Sequence, residues 1–355
     1  MSSLELQPKA ARGRSLYKFL ALGSLVILYI FFSVFGRNFF SWETVFNIFG
    51  SSYYIGFMAI GVTFVIITGG IDLSVGTVMI CGALIGGQAY NVWHWPIGAA
   101  LGLILVVTTF FGLMNGVMVA KLKLPPFIAT LGTMMVTLGF GAIVSKVMTM
   151  RYPTVGDPDA WFKTIFYKTG ELQPYLPDGF PIGAVWLFAI FAIAVVLLNK
   201  TRFGRYVYAI GSNEEATRLS GVKVDTWKML AYTLCGFFAG LAAIEYAAAY
   251  TSIVPSTGNG LELLAIAGVV IGGASLNGGV GTLSGTLIGV FIMSVLRNGL
   301  MSMDFQPQWQ TFFTGFVVIL AVLLDIYRNS RANQVNKGKI SSQWLGKIIK
   351  GRDMR

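Results

Sequence analysis

Unbroken apolar runs, such as residues 57–68 and 75–84 on either side of the motif "GGIDLSVGT", constrain this chain more than any other feature. A soluble fold divides its apolar residues into short patches at helical or strand spacing. A helix crossing a hydrocarbon core of about 30 Å instead needs roughly 17 to 25 mostly apolar residues in a row. Only 12% of the residues are charged, against about 25% in a typical soluble domain. The chain therefore reads as an all-α, polytopic membrane protein.

Bounding the apolar stretches by charge, Pro or Gly gives about ten predicted transmembrane spans, at 17–35, 51–68, 73–93, 97–120, 127–147, 182–198, 229–250, 261–276, 283–301 and 311–326. Cytoplasmic segments collect Lys and Arg. With the N-terminus inside, 20 of the 26 basic residues face the cytoplasm: four in 1–18, two in "KLKLPP", six in 199–228 and eight from residue 328 onward. The expected organisation is a basic cytoplasmic N-terminus (1–16), a permease domain (17–328) and a basic cytoplasmic tail (329–355). Within the permease domain lie an external loop at 149–181 and a cytoplasmic loop at 199–228. The net charge of +11 follows mostly from this topology and gives little support to nucleic-acid binding. The tail alternates charge with Ile, Leu and Trp, a pattern compatible with the inner leaflet. The first apolar stretch is followed by "FGRNFF", without a small-residue cleavage pattern, and is expected to remain as the first helix.

Catalytic signatures are lacking. Cys81 and Cys235 fall in separate spans with no paired spacing, so neither a disulfide nor a metal site is implied. The sole histidine, His94, sits in "VWHWP" and reads as an interfacial residue. No GxxxxGK[ST] phosphate loop occurs, so no cofactor is expected on this chain and any ATP hydrolysis belongs elsewhere.

The 43 glycines are the positive signal. Small residues let helices pack closely in lipid, but runs such as "GASLNGGVGTLSG" hold too many for a continuous helix. Broken helices expose backbone polar groups, which membranes tolerate only where protein or a watery cavity satisfies them. "GGIDLSVGTVMICGALIG" (69–86) and "GGASLNGGVGTLSGTLIG" (272–289) resemble each other, as in transporters built from an internal repeat. Polar groups on these segments and nearby spans are the path candidates: Asp72, Ser74, Asn115, Thr130, Thr133, Glu262 and Asn277, all expected to face the bundle interior. Asp72 has two readings, a path residue or the N-cap of the third helix, with Gly69 and Gly70 closing the second. The N-cap role follows if the second helix begins near Val45, long enough to reach the cytoplasm.

In the loop 199–228, Ser212 and Glu215 fit a capping box and Gly221 a helix stop, predicting a short helix outside the membrane.

The ordered motifs "GGIDLSVG", "PPFIATLGT", "NKTRFGRYVYAIGSNEEATRLSGV" and "VIGGASLNGGVGT" resemble the permease subunits of ribose, galactose and xylose type ABC importers over nearly the whole chain. The resemblance implies a permease for monosaccharides in a bacterial cytoplasmic membrane. It would pair with a second permease copy or paralogue, with cytoplasmic ATPase subunits that carry ATP and magnesium, and with an extracytoplasmic sugar-binding protein. It also implies that Asn213, Glu214, Glu215, Ala216, Thr217, Arg218, Leu219 and Ser220 form the ATPase-coupling helix, with Glu214, Glu215 and Arg218 as polar contacts and Leu219 as the apolar anchor. Leu264 stands where many relatives carry an acid, and some relatives carry nucleosides or other hydroxylated molecules. An ion-coupled transporter is the weaker alternative, since Glu245, Glu262 and Asp304 fall toward the outer face and Asp325 toward the inner one, leaving no relay of acids across the membrane.

Overall fold

The computed structural model describes residues 7–154, 156–168, 179–306 and 308–327, with side chains from residue 21 onward. The basic tail at 329–355, the first six residues and positions 169–178 of the 149–181 loop lie outside the described residues. The elements are α1 (Gln7–Phe35), α2 (Trp42–Ile67), α3 (Val75–Asn91), α4 (Ile97–Ala120), α5 (Pro126–Val144), β1 (Met150–Arg151), α6 (Trp161–Phe166), α7 (Gly183–Lys200), α8 (Arg202–Ser212), α9 (Glu214–Leu219), α10 (Val224–Tyr250), β2 (Ser252–Ile253), α11 (Leu261–Ile271), α12 (Leu283–Ser302) and α13 (Gln308–Tyr327).

Seven of these, α2, α4, α5, α7, α10, α12 and α13, are long and apolar enough to cross a membrane. The spans predicted at 17–35 and 73–93 correspond to the apolar part of α1, Ala21–Phe35, and to α3. The span predicted at 261–276 is shorter than expected. α11 stops after 11 residues, a rise of about 16 Å or roughly half a hydrocarbon core.

α2 is apolar on every side, and a helix of that kind belongs in the centre of a bundle. From Gly50 to Ile67 every residue of α2 is buried, against α7, α10, α11 and α12. A hydroxyl pair, Thr63 with Thr286 at 2.8 Å, ties it to α12. α4 and α10 cross closely because glycines meet there: a Cβ on Gly112 would lie 2.7 Å from the Gly236 Cα. At the edge, α5, α7 and α13 leave most of their apolar surface open.

A two-stranded ladder, unforeseen from sequence, closes the end of the bundle opposite α8 and α9. β1 and β2 pair antiparallel, with Met150 opposite Ile253. The Tyr152 hydroxyl fastens this ladder to α3 by donating to the Ala83 carbonyl at 2.7 Å.

Candidate translocation path and coupling surface

The helices on either side of the two glycine motifs end by the same device. At the end of α2, Gly69 adopts φ +79°, its amide donates to Ile66 O at 2.9 Å, and the Gly70 amide donates to Val65 O at 3.1 Å. At the end of α11, Gly273 adopts φ +94°, donating to Val270 O at 2.9 Å, while Ala274 donates to Val269 O at 3.1 Å. Both are Schellman turns, which need a left-handed residue that glycine supplies without a Cβ clash. The shared "VGT" is not structurally equivalent. Val75 is the first residue of α3, whereas Thr282 is the N-cap of α12, its hydroxyl accepting from the Gly285 amide at 3.1 Å.

After the first turn the chain runs into the protein rather than straight into a helix. α2 does begin early, at Trp42, yet Asp72 is not the N-cap of α3; Ser74 occupies that position. Asp72 is 2% exposed. Its Oδ1 accepts from the Ser74 amide at 2.9 Å and from the Ser74 hydroxyl at 2.7 Å, closing a turn over a stretch that would otherwise leave a buried donor unmatched. The Asn115 amide then donates to Ser74 Oγ at 2.8 Å, and the Thr133 hydroxyl donates to Asn115 Oδ1 at 2.6 Å. Asp72, Ser74, Asn115 and Thr133 thus form one hydrogen-bonded chain across the start of α3, α4 and α5. One turn along, the Thr137 hydroxyl donates to Thr77 at 2.8 Å, an extension the sequence reading missed. The space among Asp72, Asn115, Cys235 and Gly236 is packed shut, with about 0 Å³ open to water.

The other predicted residues separate. Thr130 is buried on α5, but its hydroxyl bonds back to Pro126 O at 2.9 Å within its own helix. Glu262 is buried at the start of α11, where its carboxylate accepts from the Gly260 amide at 3.0 and 3.1 Å. The expected interior placement fails for Asn277, which is exposed in the loop after α11, where the chain turns at Gly278 (φ +85°).

Glu262 also marks where two part-length helices begin together. A Cβ on Gly76 would lie 2.7 Å from Glu262 Oε2 and 2.9 Å from its amide nitrogen. From this level α3 runs toward the β ladder and α11 runs toward the end that carries α8. The broken-helix architecture expected from the glycines is therefore present, with two helix N-termini meeting inside the bundle.

The cytoplasmic-loop candidate contains two helices, not one. α8 was unforeseen, although Phe203, Val207 and Ile210 at helical spacing are its buried stripe and carry the signal. Ser212 lies within α8, so the predicted capping box shifts by one residue. Asn213 is the N-cap of α9 and accepts from the Ala216 amide at 2.9 Å. Gly221 follows the helix at φ +83°, as the stop required.

Two residues expected to reach outward are used internally. Glu214 accepts from Arg218 at 3.0 Å and from Lys228, and Arg218 also donates to Asp225 at 3.0 Å. Lys123, from the α4–α5 turn, reaches the same Asp225 at 2.6 Å. Burial pushes the Glu214 carboxyl up, but the hydrogen bonds from Lys228 and Arg218 outweigh it and hold its pKa below the usual range. Glu215 and Leu219 remain outward, Leu219 at 83% exposure, while Thr217 faces in.

Arg297 on α12 was counted from sequence only as an outward charge. It instead donates to the Tyr54 hydroxyl in α2, and the Tyr54 ring stands edge-on to Tyr246 with centroids 5.2 Å apart.

Buried polar chains, glycine-broken helices and a mostly apolar perimeter define a multi-pass transport subunit of a membrane. The chain belongs to the family described as branched-chain amino acid transport system / permease component, whose match covers residues 44–322. It is 40% identical over 311 residues to the ribose import permease protein of Escherichia coli (strain K12), covering 86% of this chain and 92% of that one. It is also 35% identical to the fructose import permease protein of Rhizobium meliloti over 309 residues, 85% of this chain and 83% of that one. With the autoinducer 2 import system permease protein of Photorhabdus luminescens it shares 33% over 335 residues, 93% of this chain and 96% of that one. These three relatives are import permeases for ribose, fructose and autoinducer 2.

Proposed function

We propose that this chain is the membrane permease of an ATP-driven importer for monosaccharides, forming the path and coupling to a separate ATPase. The identity to ribose and fructose import permeases over most of both chains carries the substrate class. The structure lends support in the pairing of a closed polar chain, from Asp72 to Thr133, with a capped helix outside the bundle that bears an exposed Leu219. On this reading α8 and α9 are cytoplasmic, both termini are cytoplasmic, and the spans number ten. A second permease copy or paralogue would complete the path against the open apolar edges. ATP and magnesium would be held by the ATPase, and an extracytoplasmic binding protein would deliver the sugar.

The coupling would be mechanical. α9 is held to α10 and to the α4–α5 turn by the cluster of Glu214, Arg218, Asp225, Lys228 and Lys123. A rigid helix fixed in this way passes a push from a bound partner into the spans, which an unanchored loop cannot do. Glu215 and Leu219 present the contact surface.

Reconstitution of the chain with its ATPase and binding protein in proteoliposomes tests the proposal by uptake of radiolabelled D-ribose and D-fructose. ATP-dependent accumulation is expected; accumulation without the ATPase, or none of either sugar, would reject it. Orientation is checked separately by cysteine labelling of intact cells, with reaction expected at Lys168→Cys and not at Arg218→Cys. The reverse pattern would invert the topology.

A further inference from the structure

A cavity of about 220 Å³ lies between the start of α11, the second half of α12 and the start of α13, lined by Asn259, Leu263, Leu264, Arg297, Gln310 and Thr314 among others. We propose that this cavity is the binding site for a small neutral polyhydroxylated molecule on its passage through the chain. The inference rests on the import reading and adds to it the place and the groups that hold the substrate.

Arg297 is the central observation. It sits well inside α12, 15th of its 20 residues, where an arginine is costly and by default marks a pathway or a bound partner. A guanidinium carries five donors, and one of its nitrogens donates to Tyr54. Among the described residues no carboxylate stands within ion-pair distance of it. The tyrosines behind it are packed, Tyr246 against Tyr250 at 4.5 Å and Tyr54 against both, so the fork is held in place at the cavity wall.

The rest of the lining suits a sugar. Side-chain amides of Asn259 and Gln310 each donate and accept, as does the Thr314 hydroxyl, which matches hydroxyl groups that also do both. Leu263 and Leu264 offer an apolar face for the C–H side of a ring. The volume falls below the roughly 300–1,000 Å³ of pockets for drug-sized ligands, consistent with a single small ring.

A neutral ligand is favoured over an anion. Apart from Arg297, the polar side chains of the lining are uncharged amides and hydroxyls, Asn259, Gln310 and Thr314 among them, which serve groups that both donate and accept. The closed space around Asp72, with about 0 Å³ open to water, offers no comparable room.

The test uses the assembled complex of permease, ATPase and binding protein. Uptake of D-ribose and D-fructose is measured for the native chain, Arg297→Gln and Gln310→Ala, with ATP hydrolysis and assembly recorded for each. Loss of a charged donor to a bound hydroxyl predicts a fall of about ten-fold or more in uptake for Arg297→Gln, with assembly unchanged. Gln310→Ala should show a smaller fall in the same direction. In parallel, Asn259→Cys is labelled in membranes with an anionic thiosulfonate reagent, with and without D-ribose. Protection by D-ribose is expected, and it should vanish when Arg297→Gln is added.

Uptake within two-fold of native for both variants, with no sugar protection, would overturn the inference while leaving the import reading intact. Protection by inorganic phosphate rather than ribose would overturn the neutral-ligand assignment. A native complex that moves neither sugar would reject the import reading itself. If Arg297→Gln fails to assemble, Gln310→Ala and the protection of Asn259→Cys decide the matter.

Discussion

The amide of Gly279 donates to the carbonyl oxygen of Ile67 at 2.8 Å. The loop after α11 thereby caps an orphan carbonyl at the end of α2, where a helix leaves its last carbonyls unmatched. The last turn of α8 packs onto the same atom, since a Cβ on Gly211 would lie 1.8 Å from Ile67 O. One turn earlier in α8, the Tyr208 hydroxyl donates to Gly281 O at 2.8 Å. The end of α2, the loop after α11 and α8 therefore share one backbone junction. A shift of α8 must move the ends of both broken segments, which links the proposed coupling surface to the bundle interior without any long side-chain relay.

That junction predicts an unusually costly glycine. Gly211→Ala forces a methyl into main chain that cannot rotate away, so the mutant should lose about 1–3 kcal/mol or more. Gly132→Ala on α5 has open space around it and should be neutral or stabilising by up to about 1 kcal/mol through helix propensity. Thermal unfolding in detergent, followed by tryptophan fluorescence, distinguishes the two. Equal melting temperatures would show that the junction tolerates widening.

The polar chain predicts a contrast between two threonines on one helix. Thr133→Val removes the hydroxyl that donates to Asn115 Oδ1, and an acceptor left unsatisfied in the interior costs about 1–3 kcal/mol. Thr130→Val removes only a bond back to the carbonyl of Pro126 and should cost less. Thr133→Ser keeps the donor and should restore most of the loss. Thermal unfolding of the three variants ranks them, and a Thr130 variant as unstable as Thr133→Val would contradict the assignment.

Which of these features could be read from sequence follows from how local their causes are. The runs of apolar residues fix helices, and Gly69 and Gly221 mark helix ends, because those signals lie within a few neighbouring residues. Asp72 fits an N-cap by local rules, yet the polar chain it joins continues through Asn115 and Thr133, 43 and 61 positions away, and nothing near Asp72 announces them. The 261–276 span failed for a related reason. Hydropathy continues past Ile271, but Gly273 turns the chain and the loop beyond it is held by α2. Arg297, within the span predicted at 283–301, gave no local sign of its role because its tyrosine partner, Tyr54, belongs to a helix 243 positions earlier.

The ion cluster under α9 predicts a defined acid response. Glu214 has a folded pKa below its ordinary value, so its contribution to stability is fully present above the unfolded pKa of about 4.3 and is lost as pH falls through the lowered folded pKa. Hydrogen-exchange protection of α9, corrected for intrinsic rates, should stay level down to about pH 5 and decline at lower pH. Glu214→Gln should be less protected at neutral pH and should show a smaller decline, the remainder coming from Asp225, whose carboxyl the hydrogen bonds from Lys123 and Arg218 also hold below its usual range. A native profile indistinguishable from the glutamine variant would mean that the cluster does not hold the helix.

Leu219 gives the sharpest separation of folding from coupling. It is 83% exposed at the end of α9, and its neighbours Glu214 and Arg218 are already engaged with Lys228 and Asp225. Replacing so open a side chain should change stability by no more than about 0.5 kcal/mol, so Leu219→Asp is expected to insert and melt like the native chain. In the proposed complex the same residue is buried against the ATPase, where a charge without a partner is strongly unfavourable. ATPase association and ATP-driven sugar uptake should therefore fall by at least about ten-fold, the equivalent of 1.4 kcal/mol. Glu215→Ala, beside it on the outward face, should give a milder loss. A Leu219→Asp chain that binds the ATPase and imports normally would show that the contact lies elsewhere on the α8–α9 surface.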